Sequence, residues 1–371
     1  MDILVIGNGF DLAHGLKTTY KDFLEYCNKK GIKDCTEGTS SYKTLCEQNL
    51  WMKHFITRQD ELGDTWIDLE KEIYRVIEEL KDIFVFNENG YAVKCFPSIL
   101  GIQNNLINFN FNAIIGKLTK PNHKYNTGKR EYLSNIPSNI EELSYIYIQS
   151  HKGFINFLYD QLREFTKAFE NYLTENICST SNIKSKYILP LKTSELFVLS
   201  FNYTDICENL YHYNCNRTNQ NMRIRPIYIH GKIGKTDDCK LVLGTHSFKN
   251  SSNGNNIPVD FNIFQKHNQR HKYGTIEAYQ DFLRILTAPN RIIHPVFHVV
   301  GHSLDKTDHN ILKHIFLANK NAIINIYYHD EESQERLIHN ITEIIEEKEV
   351  MTRVRMIYQH DDNRGILLER K

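Results

Sequence analysis

Short apolar runs alternate with helical patterns toward both ends of the chain. The first run, Asp2 to Ile6, is largely apolar and ends in glycines, which is typical of a buried parallel strand that leads into a turn. Further strands are predicted at residues 196–200, 226–230, 240–243, 295–300, 322–328 and 354–358, and helices at 204–213, 306–318 and 331–347. This alternation predicts an α/β fold, a Rossmann-like parallel sheet with helices on both faces.

The middle of the chain follows a different pattern. From about residue 42 to residue 190, apolar residues recur at three- and four-residue spacing, which indicates helices. One such series consists of Trp66, Leu69, Ile73, Val76, Ile77 and Leu80. We therefore expect a large helical insertion at 41–190 in a core formed by 1–40 and 191–371. Residues 249–274, rich in Asn and His, are expected to form a mobile surface loop.

Composition narrows the classes of function. Lys and Arg number 45 and Asp and Glu 45, so no overall field favours nucleic acid or an anionic membrane. The 8 cysteines include no Cys-x-x-Cys pair, and we predict reduced thiols and no metal site. The chain lacks a basic, apolar start and any run near the ~18–20 apolar residues of a membrane span. A soluble, cytoplasmic protein is expected.

A glycine-rich segment, Gly7-Asn8-Gly9-Phe10-Asp11, follows the first predicted strand, and Gly15 comes four residues later. Glycines at that place let the backbone turn tightly and approach a phosphate, while amide groups at a helix start favour negative charge. A tight turn without a ligand explains the two first glycines equally well. The spacing also departs from the dinucleotide-binding fingerprint, because the third glycine is six positions after Gly9.

Two further predicted strands end in polar residues. Asn202 follows the strand at 196–200, and at the carboxyl end of a parallel strand its amide faces the crevice where ligands bind. Thr204 or Asp205 can cap the next helix, which is the structural interpretation of those two residues. His230 and Gly231 end another strand, where a neutral imidazole can accept a proton from water or a sugar hydroxyl, although a lone histidine is more often structural.

A fourth strand end, Val300 to Asp308, contains a glycine turn and a helix start. Gly301 would let a ligand come close, and Ser303 could donate to a phosphate or ribose. The alternative is that Ser303, Asp305 and Asp308 only cap the helix.

A fifth candidate lies in the helical insertion, where Asp68 and Glu70 follow Trp66. A solvated acidic helix face is the default interpretation of such a pair. A nuclease would need clustered carboxylates that bind a metal, for which two residues are thin support.

These strand-end motifs, in this order, resemble the sirtuin fold, whose members carry Gly-Ala-Gly-Ile-Ser, Thr-Asn-x-Asp, His-Gly and Gly-x-Ser. The chain resembles more closely the bacterial abortive-infection AbiH family. That family's pattern reads Gly-Asn-Gly-Phe-Asp, Trp-x-Asp-x-Glu, Phe-Asn-Tyr-Thr, His-Gly and Gly-His-Ser-Leu-Asp-x-x-Asp, and each motif appears between Gly7 and Asp308.

The resemblance implies a phage-defence protein with a sirtuin-like site that hydrolyses NAD, with a nucleotide and a phage-derived trigger as partners, no membrane, and self-association left open. By the resemblance, Asn202 would orient water or ribose, and His230 would act as a base or form a hydrogen bond with the ribose. We further expect the Asp11 carboxylate to stabilise a ribosyl cation. The residues expected to bind the nucleotide are Gly7, Asn8, Gly9, Phe10, Gly15, Gly231, Gly301 and Ser303.

The chain also departs from the sirtuin pattern. The Pro-Asp-Phe-Arg that positions nicotinamide in sirtuins is replaced by Lys17-Thr18-Thr19-Tyr20, and no cysteines have the spacing of the sirtuin zinc ribbon. Peptide deacylation is therefore not expected. A nucleotide-sensing module without turnover is the alternative to a hydrolase.

Overall fold

The computed structural model of the 371-residue chain describes residues 1–30, 49–62, 68–83, 85–86, 92–94, 151–177, 187–188, 195–212, 223–234, 239–248, 259–288, 294–359 and 365–366. The strands are β1 (Asp2–Ile6), β2 (Val85–Phe86), β3 (Ala92–Lys94), β4 (Tyr187–Ile188), β5 (Glu195–Ser200), β6 (Arg223–Tyr228), β7 (Val296–Val300), β8 (Ile323–Tyr328), β9 (Val354–Tyr358) and β10 (Gly365–Ile366).

Eleven α-helices fall within the described ranges. They are α1 (Asn8–Ala13), α2 (Tyr20–Lys30), α3 (Leu50–Leu62), α4 (Leu69–Ile83), α5 (His151–Ile177), α6 (Ile206–His212), α7 (Lys266–Tyr273), α8 (Glu277–Leu286), α9 (His309–Leu317), α10 (Glu331–Ile344) and α11 (Glu347–Arg353). Two 3-10 turns precede α7 and α9, at Val259–Phe264 and Lys306–Asp308. No helix in these ranges is both long and apolar enough to cross a membrane.

Six parallel strands form the main sheet, in the order β6-β5-β1-β7-β8-β9. The predicted α/β, Rossmann-like fold is confirmed. Counted in chain order, these strands run 3-2-1-4-5-6, so the direction of winding reverses between β1 and β7. In such sheets ligands bind outside the carboxyl ends of the strands at this reversal. That edge is where Gly7, Asn202, His230 and Gly301 are found.

The central strand explains why this order is stable. All five residues of β1 are buried, as expected for a parallel strand covered on both faces. Leu4 pairs with Val198 on one side and with His298 on the other. Apolar side chains of the sheet pack with those of α8, α9 and α10 in one core. The carboxyl ends of the strands are thereby fixed relative to each other.

The chain divides into two units. The first unit comprises Met1–Thr19, Glu170–Val242 and Gln269–Lys371 and contains the six-stranded sheet. The second comprises Tyr20–Phe169 and Leu243–Asn268. In the second unit helices α3 and α5 pack through aromatic side chains, with the ring centroids of Phe55 and Phe165 5.1 Å apart.

The helical pattern of the middle region is confirmed where the structure describes it. Leu69, Ile73, Val76 and Ile77 lie on the buried face of α4, at the spacing that predicted a helix. Trp66, which the same series included, lies outside the described residues. The short strands β2, β3 and β4 were not predicted, because two or three residues give no periodicity to detect.

The prediction of a strand at Lys240–Leu243 was wrong. Leu241, Val242 and Leu243 are buried, but they form no ladder with a strand of the sheet, and Val242 makes isolated hydrogen bonds instead. Its N–H donates to the carbonyl of His230 at 2.8 Å, and its carbonyl accepts from the Tyr203 hydroxyl at 3.0 Å. The segment passes the carboxyl end of β6 instead of joining the sheet.

The prediction of a mobile loop at 249–274 was wrong for residues 259–274, and residues 249–258 lie outside the described part. Phe261 and Phe264 are fully buried in the 3-10 turn before α7. A few well-placed aromatic anchors therefore order a segment whose overall composition is polar. The predicted single helix at 331–347 is also broken, because Ile345 is extended and buried between α10 and α11.

Candidate functional site

The carboxyl ends of β1 and β7 interlock through glycines. Gly301 has φ 62°, a backbone conformation that favours glycine. A methyl group on it would overlap the amide nitrogen of Phe10 and lie 2.9 Å from the Cα of Gly9. The Gly9 N–H donates to the Gly301 carbonyl at 2.8 Å. The two strand ends are therefore in direct backbone contact at the reversal of the sheet.

Three of the backbone amide groups expected to hold phosphates, those of Gly7, Gly9 and Phe10, already have partners in the protein. Besides the Gly9 N–H, the Phe10 N–H donates to the Gly7 carbonyl at 2.9 Å, and the Gly7 N–H donates to the Val300 carbonyl at 3.3 Å. Asn8 accepts a bond from the Thr18 hydroxyl at 2.6 Å. Phosphate binding by this loop stays a prediction, and a ligand could use these three N–H groups only by replacing their present bonds.

Gly15 ends the first helix. Its N–H donates to the Leu12 carbonyl at 2.8 Å, and the Leu16 N–H donates to the Asp11 carbonyl at 3.2 Å. With φ 77° at Gly15, this is the Schellman arrangement, in which a left-handed residue satisfies the last carbonyls of a helix. The glycine spacing that suggested a ligand loop thus has a structural cause at this position.

Phe10 and His14 are buried side chains, one within helix α1 and one directly after it. Phe10 is fully buried, and its ring centroid is 4.6 Å from that of His14. Because His14 Nδ1 lies 2.7 Å from the Phe10 carbonyl, Nδ1 must donate. In the neutral ring, Nε2 then accepts from the Tyr211 hydroxyl at 3.0 Å. His14 carried no sequence signal beyond its proximity to the glycine motif.

Asp11 is the centre of the first polar group at the site. Its side chain is buried between two donors from the end of β5: Asn202 Nδ2 lies 2.8 Å from Oδ1, and the Thr204 hydroxyl lies 2.6 Å from Oδ2. The structure thus brings together Asp11 and Asn202, both predicted as catalytic. Thr204, considered as a cap of helix α6, directs its hydroxyl to Asp11 instead.

Burial raises the pKa of Asp11 from 3.8 to about 7, because the charged form is poorly solvated inside the protein. The hydrogen bonds from Thr204 and Asn202 act in the opposite direction, and the nearby charge of Asp205 adds to the rise. At neutral pH the carboxyl is therefore divided between its protonated and ionised forms. A carboxyl titrating near neutral pH is a feature of functional sites.

The other end of the Asn202 amide is unsatisfied. Asn202 is only 4% exposed, and its Oδ1 has no hydrogen-bond partner among the described residues. An unmet buried acceptor costs about 1–3 kcal/mol, which a ligand's hydroxyl or amide group could recover. The ionised Asp11 carboxylate can only accept, so the Asn202 amide must present Nδ2 to it, which leaves Oδ1 as the vacant acceptor.

His230 is the centre of a second polar group. Its Nε2 lies 3.0 Å from Asp308 Oδ1, and Arg270 Nη2 lies 3.4 Å from its Nδ1. Since a guanidinium only donates, Nδ1 must accept and the neutral ring carries its proton on Nε2. Arg270 Nη2 also lies 3.4 Å from Asp308 Oδ1. All three side chains are buried.

His302 completes this group. Its Nδ1 accepts from the Leu304 N–H at 2.9 Å, so the neutral ring directs Nε2–H toward Asp308 Oδ2, 3.8 Å away. The Phe201 ring meets the edges of both imidazoles, with centroid distances of 4.3 Å to His302 and 5.6 Å to His230. Phe201 immediately precedes Asn202, which places the two polar groups at neighbouring strand ends.

The capping role considered for Asp308 was wrong. Asp308 precedes α9 but makes no side-chain capping bond, and its carboxylate faces the two histidines and Arg270 instead. Ser303, predicted to hold a phosphate, is exposed, and its carbonyl accepts from Asn340 Nδ2 at 2.8 Å. The sequence interpretation missed Arg270, His302 and the role of Asp308.

The two acidic residues considered as a fifth candidate, Asp68 and Glu70, have structural partners. Asp68 Oδ1 accepts from the N–H groups of Glu70 and Lys71, each at 3.1 Å, which caps helix α4. Glu70 Oε2 lies 2.6 Å from Nζ of Lys266, a buried lysine. Within the described ranges, no three His, Cys, Asp or Glu side chains are arranged to hold a metal ion.

Comparison with known proteins identifies the family. Among curated proteins no significant match was found. The family model described as "Bacteriophage abortive infection AbiH" matches residues 3–330, which include both polar groups and the glycine contact between β1 and β7. With nearly the whole chain matched, this protein belongs to the bacteriophage abortive infection AbiH family and has a role in abortive infection.

Proposed function

We propose that this AbiH protein hydrolyses NAD at the bond between nicotinamide and ribose, at the carboxyl edge of the parallel sheet. The observation that carries the proposal is the Oδ1 of buried Asn202, which lies beside the winding reversal of the sheet and has no hydrogen-bond partner in the described part of the chain. A ribose hydroxyl is a donor of the kind this acceptor lacks. The resemblance to sirtuins adds NAD as the nucleotide.

Hydrolysis of the bond between nicotinamide and ribose requires few protein side chains. The bond between C1′ and the nicotinamide nitrogen breaks, and its electron pair leaves with nicotinamide, which becomes neutral. Water adds to the ribosyl cation at C1′ and gives its proton to a base, for which His230 is our candidate. The products are nicotinamide, ADP-ribose and one proton.

Asp11 has two functions in this proposal. Through its bond with Nδ2 it fixes the Asn202 amide so that Oδ1 is presented to the ligand. In its ionised form it also stabilises positive charge developing on the ribose. Because the pKa of Asp11 is about 7, we expect this second contribution to increase as the pH rises through 7.

The test is release of nicotinamide from NAD by the purified protein, alone and with an extract of phage-infected cells as a source of the trigger. We expect His230→Gln and Asn202→Ala each to lower the rate at least about 100-fold, the order of magnitude for loss of a general base or a positioning group. Activity that appears only with the infected extract also fits the proposal.

His298→Gln is the matched control. His298 is also a buried histidine of the first unit, with Nδ1 3.1 Å from the Tyr327 hydroxyl, but it lies within β7 and not at its carboxyl end. We expect this variant to retain activity. No release of nicotinamide by the wild type under any of these conditions, or full release by His230→Gln, would refute the proposal.

A nucleotide-sensing module without turnover is the second candidate. It is favoured by the partners of His230, because both ring nitrogens are engaged and no base is ready in this state. A sensor predicts that ADP-ribose raises the melting temperature, as any ligand that binds only the folded state must. Stabilisation by ADP-ribose and NAD without nicotinamide release would select this function over hydrolysis.

A further inference from the structure

Arg270 is a buried cation at the candidate site that no motif indicated. It lies in helix α7, is 4% exposed, and its Nη2 faces both His230 and Asp308. Both distances are 3.4 Å, at the long end of hydrogen bonding. Charge-assisted bonds between a guanidinium and a phosphate are typically about 2.7–2.9 Å and considerably stronger.

The glycine loop increases the need for such a cation. The Gly9 and Phe10 N–H groups, which would otherwise neutralise a phosphate at this edge, are bonded to carbonyls of the protein. A diphosphate placed beside His230 therefore needs another positive partner. Arg270 is the cation in contact with that imidazole, and its planar fork suits two phosphate oxygens.

The contact with Arg270 also decides whether His230 can take a proton. With Nε2–H directed to Asp308, the only lone pair of the neutral ring is on Nδ1, and the guanidinium donates to it. A water molecule cannot give a proton to Nδ1 while that bond exists. Removal of the guanidinium would take away the donor that occupies Nδ1, while Asp308 still orients the imidazole through Nε2.

We propose that Arg270 is the diphosphate-binding residue of this site and that, before a nucleotide binds, it keeps His230 inactive by occupying Nδ1. When the diphosphate arrives, the guanidinium exchanges its contacts with Nδ1 and Asp308 for phosphate oxygens. His230 Nδ1 then accepts the proton of the attacking water. The second step rests on the proposed function, whereas the binding of a diphosphate by Arg270 does not.

The binding step is tested by calorimetric titration with ADP-ribose and with adenosine, which lacks the diphosphate. We expect Arg270→Met to weaken ADP-ribose about 10- to 100-fold, the loss for one or two charged hydrogen bonds, and to leave adenosine within about twofold. Arg270→Lys keeps the charge without the fork and should lie between. Arg284→Met, on an exposed arginine paired with Asp281, is the control and should bind as the wild type does.

The locking step is tested with nicotinamide riboside, a substrate without a diphosphate. Loss of the guanidinium should give opposite results for the two substrates: Arg270→Met cleaves NAD more slowly than the wild type but nicotinamide riboside faster. Inorganic pyrophosphate should accelerate cleavage of the riboside by the wild type and not by Arg270→Met. If Arg270→Met cleaved both substrates more slowly than the wild type, the proposal that Arg270 keeps His230 inactive would be overturned.

The proposed hydrolysis of NAD and the proposed role of Arg270 can be refuted independently of each other. If the wild type releases no nicotinamide from NAD, hydrolysis is refuted, and the titrations still decide the role of Arg270. Equal affinity of the wild type and Arg270→Met for ADP-ribose, or no binding to the wild type, overturns the assignment of Arg270. If Arg270→Met does not fold, judged by its melting curve, Arg270→Lys gives the same comparison with the charge retained.

Discussion

Replacing Asp11 by Asn removes the ionisable group and retains both hydrogen-bond partners. The Asn202 amide can still donate to the remaining oxygen, and the Thr204 hydroxyl can reverse and accept from the new NH₂. The comparison therefore isolates the cost of ionising a carboxyl that is 1% exposed. That cost depends on pH in a way that no loss of packing would reproduce.

The magnitude follows from the raised pKa of Asp11. The folded protein binds the proton more tightly than the unfolded chain, so this group contributes stability that is full below pH 3.8 and is lost as the pH rises to about 7. Within that window the free energy of unfolding falls by about 1.4 kcal/mol per pH unit, or about 2 kcal/mol from pH 5 to pH 6.5. For a folding unit of 150–250 residues this corresponds to roughly 4–8 °C in melting temperature.

The assay is the melting temperature of the wild type and Asp11→Asn at pH 5 and pH 6.5. We expect the difference between them to shift by that amount, in favour of Asp11→Asn at the higher pH. Asp330→Asn is the control: hydrogen bonds from Ser333 lower the pKa of Asp330, so it is ionised throughout this range and its difference from the wild type should be constant. If the difference in melting temperature between Asp11→Asn and the wild type did not change with pH, the pKa of Asp11 would not be raised in the folded protein.

Three substitutions test other parts of the fold by urea unfolding. Gly301→Ala should cost about 2–5 kcal/mol, because the methyl group would overlap Phe10 at a positive φ, and a cost below about 1 kcal/mol would contradict the observed contact. Lys266→Met should cost about 3 kcal/mol by removing the ammonium group that pairs with the Glu70 carboxylate, and adding Glu70→Gln should recover most of that cost; additive losses would be the contrary result. Arg353→Lys should cost about 2–4 kcal/mol, since Arg353 donates to buried backbone carbonyls through Nε and Nη2, and an unchanged midpoint would show that lysine replaces them.

The sheet was predictable because its strands are buried on both faces. An almost continuous apolar run such as Asp2 to Ile6 has few alternatives once a glycine turn follows it. The same signal misled at Lys240 to Leu243, where apolar residues are buried without a neighbouring strand in register. The local composition of a segment indicates whether it is buried, whereas its pairing with another strand depends on residues that are distant in the sequence. The strand order was not predicted for the same reason.

The residues of the candidate site also differ in whether local sequence or distant contacts determine their position. Asn202 and His230 were found because they follow predicted strands, where ligand groups of such folds lie. Asp308 was ambiguous, because a residue before a helix serves as a cap or as a tertiary partner with equal local preference. Arg270 was missed in a segment of polar composition, although Phe261 and Phe264 at its start could have indicated burial.

The most direct test of the proposed ligand site is a crystal structure of the protein with ADP-ribose. We predict a ribose hydroxyl within about 3 Å of Asn202 Oδ1, the buried acceptor that has no partner among the described residues, with the ribose C1′ facing His230. ADP-ribose bound elsewhere, or bound at this edge with Asn202 Oδ1 still unpaired, would contradict it.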